Sequence, residues 1–234
     1  MMESHLQVVE LRDDALSLLV QIYTRTGQYD KAIDYLKNYH FRRWEGGGNI
    51  RNIYVNAYLM RGLDSYQHHH YQDAMRDFEQ ALEYPENIEA AKRYYGGRRG
   101  QIYYFMGMTH KKAGDQRQAE QAFKEAVSAR KGEEASFQHY YEALALQELG
   151  MQQKADEIFV DIIQNGKREL QQTGKLDFFA KFGEKQASDV QKAEAHFLTG
   201  IGYLGSGNRE KARREFEKAL KLDMDHLWAG YYLK

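Results

Sequence analysis

Five stretches of this chain share one layout: Leu19–Leu36, Gly62–Leu82, Gly107–Val127, Ala143–Ile163 and Gly200–Leu220. Each opens with apolar residues at i, i+3, i+4 and i+7, as in Leu16, Leu19, Val20 and Tyr23, the stripe of an amphipathic helix. Gly27, Gly114, Gly150 and Gly207 then stop that helix, because glycine enters the left-handed conformation that closes a helix C-terminus; His69 stands there in the second stretch. Asp115 and Asn208 follow as N-caps, and Asp115 with Gln118 resembles a capping box. A second stripe succeeds it, Ala119, Ala122, Phe123, Ala126 and Val127 in one copy and Ala212, Phe216, Ala219 and Leu220 in another. A helix pair this thin cannot bury its apolar face alone, so such units stack.

Small residues in the first helix oppose large ones in the second. Gly62, Gly107, Ala143 and Gly200 sit mid-helix, where glycine costs about 0.5–1 kcal/mol against alanine. Phe78, Phe123, Phe159 and Phe216 each lie four residues after an alanine. That pairing predicts close backbone approach with an aromatic ring filling the space. Composition agrees: one proline in 234 residues leaves almost no helix breaker, and 42% hydrophobic residues supply a core. There is no cysteine, which excludes disulfides, thiol nucleophiles and cysteine-based zinc sites. The net charge of −1 disfavours nucleic acid as a partner. No apolar run reaches the ~18–20 residues that span a bilayer, so membrane insertion is not expected.

The pattern Gly200-x2-Tyr203, Ala212-x3-Phe216, then LKLDMDH resembles the tetratricopeptide repeat. The resemblance implies an all-α, right-handed superhelical solenoid of about five helix pairs, read as one domain over 1–234. Its units fall at roughly 12–39, 54–85, 100–130, 136–165 and 193–225, with a last helix near His226–Leu233. Departures are clear: the leading tryptophan is His, Tyr or Leu, and Met224 replaces the closing proline. Ala32, Ala74, Ala119, Ala155 and Ala212 are spaced 42, 45, 36 and 57 residues apart, against a family period of 34. The extra residues make inserts at 40–50, 86–99 and 164–190, all at the same kind of junction, so they are expected along one edge of the stack. HFRRWEGGGN, ALEYPEN and HYYEALALQELG further resemble the C-terminal repeat region of large bacterial proteins with an uncharacterised β-rich part before the repeats.

Function is expected to be binding and not catalysis. The inserts HFRRWEGGGN and RYYGGRRG combine arginine, aromatics and glycine, making Arg42, Arg43, Trp44, Tyr94, Tyr95, Arg98 and Arg99 candidate partner-binding residues on a loop edge. The third insert brings Phe178 and Phe179, which could equally cover an irregular junction. In the family, first-helix residues line a concave groove; carried over, they are Asn56, Tyr66, Tyr104, Lys111, Tyr140 and Phe197, with Leu59, Met108, Leu144 and Ile201 beside them. Ser17 and Gln21, at positions where some members hold a peptide's terminal carboxylate, lack that chemistry. His68-His69-His70 reads as a turn, not a metal site, and GGRRG lacks the Lys-Ser/Thr of a phosphate loop. No cofactor is expected. The expected partner is a protein or peptide, another domain of the same polypeptide included, and the alternative is an accessory module docking on a β-rich, carbohydrate-active N-terminal part. The doubled Met1-Met2 suggests a fragment; a complete chain would be cytoplasmic. Compartment and oligomeric state stay open.

Overall fold

A computed structural model describes residues 3–42, 50–89, 98–129, 136–173 and 182–234, the side chains of 182–187 excepted. The fold is all-α, with no strand among the described residues. A 3-10 turn Glu3–His5 leads into α1 (Leu6–Val9), followed by α2 (Asp13–Arg25), α3 (Tyr29–Asn38), α4 (Ile50–Gln67) and α5 (Tyr71–Leu82). After a 3-10 turn at Glu86–Ile88 come α6 (Arg99–Ala113), α7 (Gln116–Ser128), α8 (Phe137–Glu148) and α9 (Gln152–Thr173). The chain closes with α10 (Phe182–Gly205), α11 (Arg209–Leu222) and α12 (Leu227–Leu233). The pairs α2–α3, α4–α5, α6–α7, α8–α9 and α10–α11 thus fall on the five repeated stretches.

The chain divides into two compact units, Met1–Ala122 and Phe123–Lys234. In the first unit α4 packs on α2, α3 and α5, and α6 packs on α5 and α4. In the second, α10 is the hub, packing on α8, α9 and α11, with α12 laid against α11.

Local chemistry explains the turns. Gly27, Gly114, Gly150 and Gly207 have φ between 76° and 88°, and His69 takes the same left-handed conformation at φ 63°. Backbone N–H of Gln118 donates to Asp115 Oδ1 at 3.1 Å, and that of Lys211 to Asn208 Oδ1 at 3.2 Å, so both N-caps form. The small-against-large rule is visible directly: a Cβ on Gly62 would sit 2.5 Å from the Phe78 ring, and one on Gly200 2.5 Å from the Phe216 ring. Phe78 and Phe216 are 0% and 1% exposed. In the first unit, Arg61 on α4 reaches both neighbours, donating to Asp77 on α5 at 2.7 and 2.9 Å and to Asp30 on α3 at 2.7 Å.

The third insert is different from expectation. Residues 164–173 continue α9 and 182–190 begin α10, so most of 164–190 is helix and not loop. Gly166 lies inside α9, where α10 crosses it. A Cβ on Gly166 would come within 2.8 Å of the Ala195 carbonyl oxygen, and one on Gly202 within 3.1 Å of the Ile163 backbone nitrogen. Glycine here permits helix contact and does not break the helix. Phe178 and Phe179 lie outside the described residues.

Candidate functional site

The first two junctions are stitched together. Asn87, in the turn after α5, donates from Nδ2 to the carbonyls of Leu36 (2.8 Å) and Tyr39 (2.7 Å), capping the C-terminus of α3. Its own carbonyl accepts from Phe41 N–H at 2.7 Å. His40 Nε2 meets Glu89 Oε1 at 2.6 Å, and Arg42 N–H donates to Asp13 Oδ2 at 3.0 Å. Phe41 and Ile88 are buried beneath, 2% and 1% exposed. The two inserts therefore start side by side, each holding the other's backbone.

Arg42 is exposed on this edge, and Arg98 and Arg99 are half-buried. Arg43, Trp44, Tyr94 and Tyr95 lie outside the described residues. Arg98 donates from Nε to Gln101 Oε1 at 2.5 Å and from Nη1 to Asn56 Oδ1 at 3.1 Å. Arg99 donates to the Tyr103 hydroxyl at 2.7 Å, its guanidinium 5.2 Å from the centre of that ring. Sequence reasoning missed Arg51. Its guanidinium lies 4.1 Å from the Tyr84 ring centre and 5.3 Å from that of Tyr54, and it donates to the Ala81 carbonyl at 2.7 Å. Burial pulls its pKa below the ordinary arginine value, against the opposing pull of Tyr84, Tyr54 and Glu83. The available signal was positional: Arg51 lies in the first turn of a first helix at the end of an insert, as Arg99 does.

The groove candidates separate by unit. In the first, Asn56, Tyr66 and Tyr104 are half-buried and Lys111 is exposed. Tyr66 has the Tyr71 ring 6.0 Å away, and Tyr104 the Phe105 ring at 5.6 Å. Asn56 belongs at once to the groove set and, through Arg98, to the loop edge, so the two expected surfaces meet there. In the second unit Tyr140 and Phe197 are 3% and 2% exposed. Tyr140 is enclosed by Tyr141, Phe159 and Tyr232, and Phe197 by Phe137, Phe216, His226 and Tyr232, with ring centres 4.5–6.4 Å apart. These two residues are core and not groove, because α12 supplies aromatic cover that the pattern of one repeat does not contain. Leu59 and Ile201 are likewise 0% exposed, while Met108 and Leu144 are half-buried.

The three histidines sit in the turn between α4 and α5, exposed: His68 Nδ1 is 2.8 Å from the Asp64 carbonyl oxygen and His69 Nδ1 2.9 Å from the Tyr71 hydroxyl. No helix among the described residues is long and apolar enough to cross a membrane.

Paired antiparallel helices, glycine-closed turns and ring-into-glycine packing define a helical-repeat protein of the α-solenoid class. Family models described as the tetratricopeptide repeat match residues 15–39, 100–132 and 193–226, which are the first, third and fifth pairs. The chain therefore carries tetratricopeptide repeats in those three stretches. A solved structure described as "YrrB: a TPR protein with an unusual peptide-binding site" is 17% identical, over 94% of this chain and 91% of that one, with a TM-score of 0.32. The peptide-binding site named there is that protein's.

Proposed function

We propose that the protein is a non-catalytic interaction scaffold that binds a protein or peptide through the first unit, at the rim where the groove residues of α4 and α6 meet the junction edge. The tetratricopeptide repeats support the general role. The observation that carries the location is the Arg98–Asn56 hydrogen bond together with the burial of Tyr140 and Phe197. In the first unit Asn56 links a groove position to the edge through Arg98, whereas Tyr140 and Phe197 of the second are taken up in packing. Tyrosine and arginine are also the residue types that dominate binding energy at interfaces.

The test uses the whole chain as bait, followed by reconstitution of each captured protein in purified form. Tyr66→Ala combined with Tyr104→Ala should weaken a true partner at least tenfold while the helical circular dichroism signal stays unchanged. A partner that binds this variant as tightly as the parent removes the first unit as the binding surface.

A further inference from the structure

His226 stands at the N-terminus of α12, in the second unit. Its ring is buried, with the Phe197 ring centre 4.5 Å away. Nδ1 accepts the Ala229 backbone N–H at 3.1 Å, which caps the helix. Nε2 is buried and makes no hydrogen bond, and Glu194 Oε1 on α10 lies 3.5 Å from it. A ring nitrogen that accepts carries no proton, so this is the neutral imidazole with its proton on Nε2. Beyond this cap α12 is held by rings. Trp228 meets Phe137, and Tyr232 meets Tyr140, Phe197 and Phe216.

A second proton would turn Nδ1 from acceptor into donor. Two N–H groups would then face each other at Ala229, and the cap would be lost. The charge would also have to sit among rings, where loss of water opposes it. Glu194 and the Phe197 ring offset only part of this. The Glu194 side chain is 63% exposed, so water screens it, and neither group gives Ala229 a new acceptor. α11, on which α12 also packs, brings no ion-pair partner to His226 among the described residues; its Glu215 is engaged by His196 and Lys218. α8 meets α12 through the uncharged side chains of Phe137, Tyr140 and Tyr141, and in the turn before α12 Asp223 accepts the Asp225 N–H. We infer that His226 is an acid-sensitive latch: neutral, it holds α12 over the ring cluster, and protonated, it releases α12 and uncovers Tyr140 and Phe197. The neutral imidazole belongs to the docked state and the imidazolium to the released one, so docking is favoured at neutral pH and weakens as pH falls.

The test is acrylamide quenching of Trp228 fluorescence in the full chain carrying Trp44→Phe, which leaves one tryptophan. The quenching constant should rise about threefold or more between pH 7.5 and pH 5.0. His226→Asn keeps a good N-cap that does not titrate, and should hold the constant at its neutral value throughout. An unchanged constant in the chain that retains His226 would overturn the latch. The same rise in His226→Asn would assign the acid effect to another group, such as His196, and would overturn it too. Should His226→Asn expose Trp228 already at pH 7.5, nitrogen-15 NMR of the imidazole in the chain that retains His226 decides. Loss of Trp228 shielding in step with protonation of His226 supports the latch; a fully protonated His226 with Trp228 still shielded overturns it.

Discussion

The two units use the same helix-pair pattern to opposite ends. In the first, α4 and α6 keep Asn56, Tyr66, Tyr104 and Lys111 at least partly in water, and polar contacts from Asn87 and Arg61 tie the helices and junctions together. In the second, α8 and α10 turn Tyr140 and Phe197 into a ring cluster under α12, where the Tyr141 and Tyr232 hydroxyls meet at 2.6 Å. Burial raises the Tyr232 pKa well above the ordinary tyrosine value, so that hydroxyl stays protonated near neutral pH. Equivalent repeat positions therefore need not be equally exposed: what matters is whether a further element covers them.

That contrast is most exposed to Phe197→Ala. Removing a ring from the second unit's cluster should cost about 3–5 kcal/mol, whereas Tyr66→Ala in the first should cost less than about 1 kcal/mol. Urea denaturation followed by circular dichroism checks both. Similar losses for the two would break the distinction. Gly62→Val should cost about 1–3 kcal/mol by forcing Phe78 off its seat, and more than Gly230→Ala, whose added carbon meets nothing within 4 Å.

Asn87→Ala strips two carbonyls of their donor and should cost about 1–2 kcal/mol. Amide exchange should then quicken at Phe41 and leave the second unit untouched; unchanged protection at Phe41 would mean the junctions are not coupled. His69→Gly should stabilise the first unit by about 1 kcal/mol, since only glycine adopts φ 63° without strain. A shift of the thermal midpoint upward is the readout.

The smallest effect concerns Glu215 on α11. Burial pushes its carboxyl pKa up, but His196 at 2.6 Å and Lys218 at 2.7 Å outweigh it and hold the pKa below the usual glutamate value. A depressed folded-state pKa stabilises above the unfolded value of about 4.3 and loses that contribution as pH falls through the folded value. Glu215→Gln should therefore cost about 1 kcal/mol or less near neutrality, a gap that closes in acid. A gap independent of pH would assign the loss to packing.

Much of the fold was legible because it is local. The stripes, the glycine turns and the Ala-x3-Phe spacing act within one helix pair, and Gly62 against Phe78 could be inferred from chain order alone. The site was legible only in part. Arg42, Arg98 and Arg99 stood out by composition, but Arg51 did not, since its meaning comes from Tyr84, distant in sequence. Asn87 was equally silent: one amide in a turn reveals nothing until α3 ends beside it.

Sequence by itself determined that this chain is a series of paired amphipathic helices, because helical periodicity and turn chemistry are written in neighbouring residues. Tertiary structure decided which aromatics are surface and which are core, and whether a glycine ends a helix, as Gly150 does, or lets another helix approach, as Gly166 does. Those outcomes depend on what lies across the gap, and α12 over Phe197 or α10 over Gly166 is a neighbour in space that the local pattern does not name.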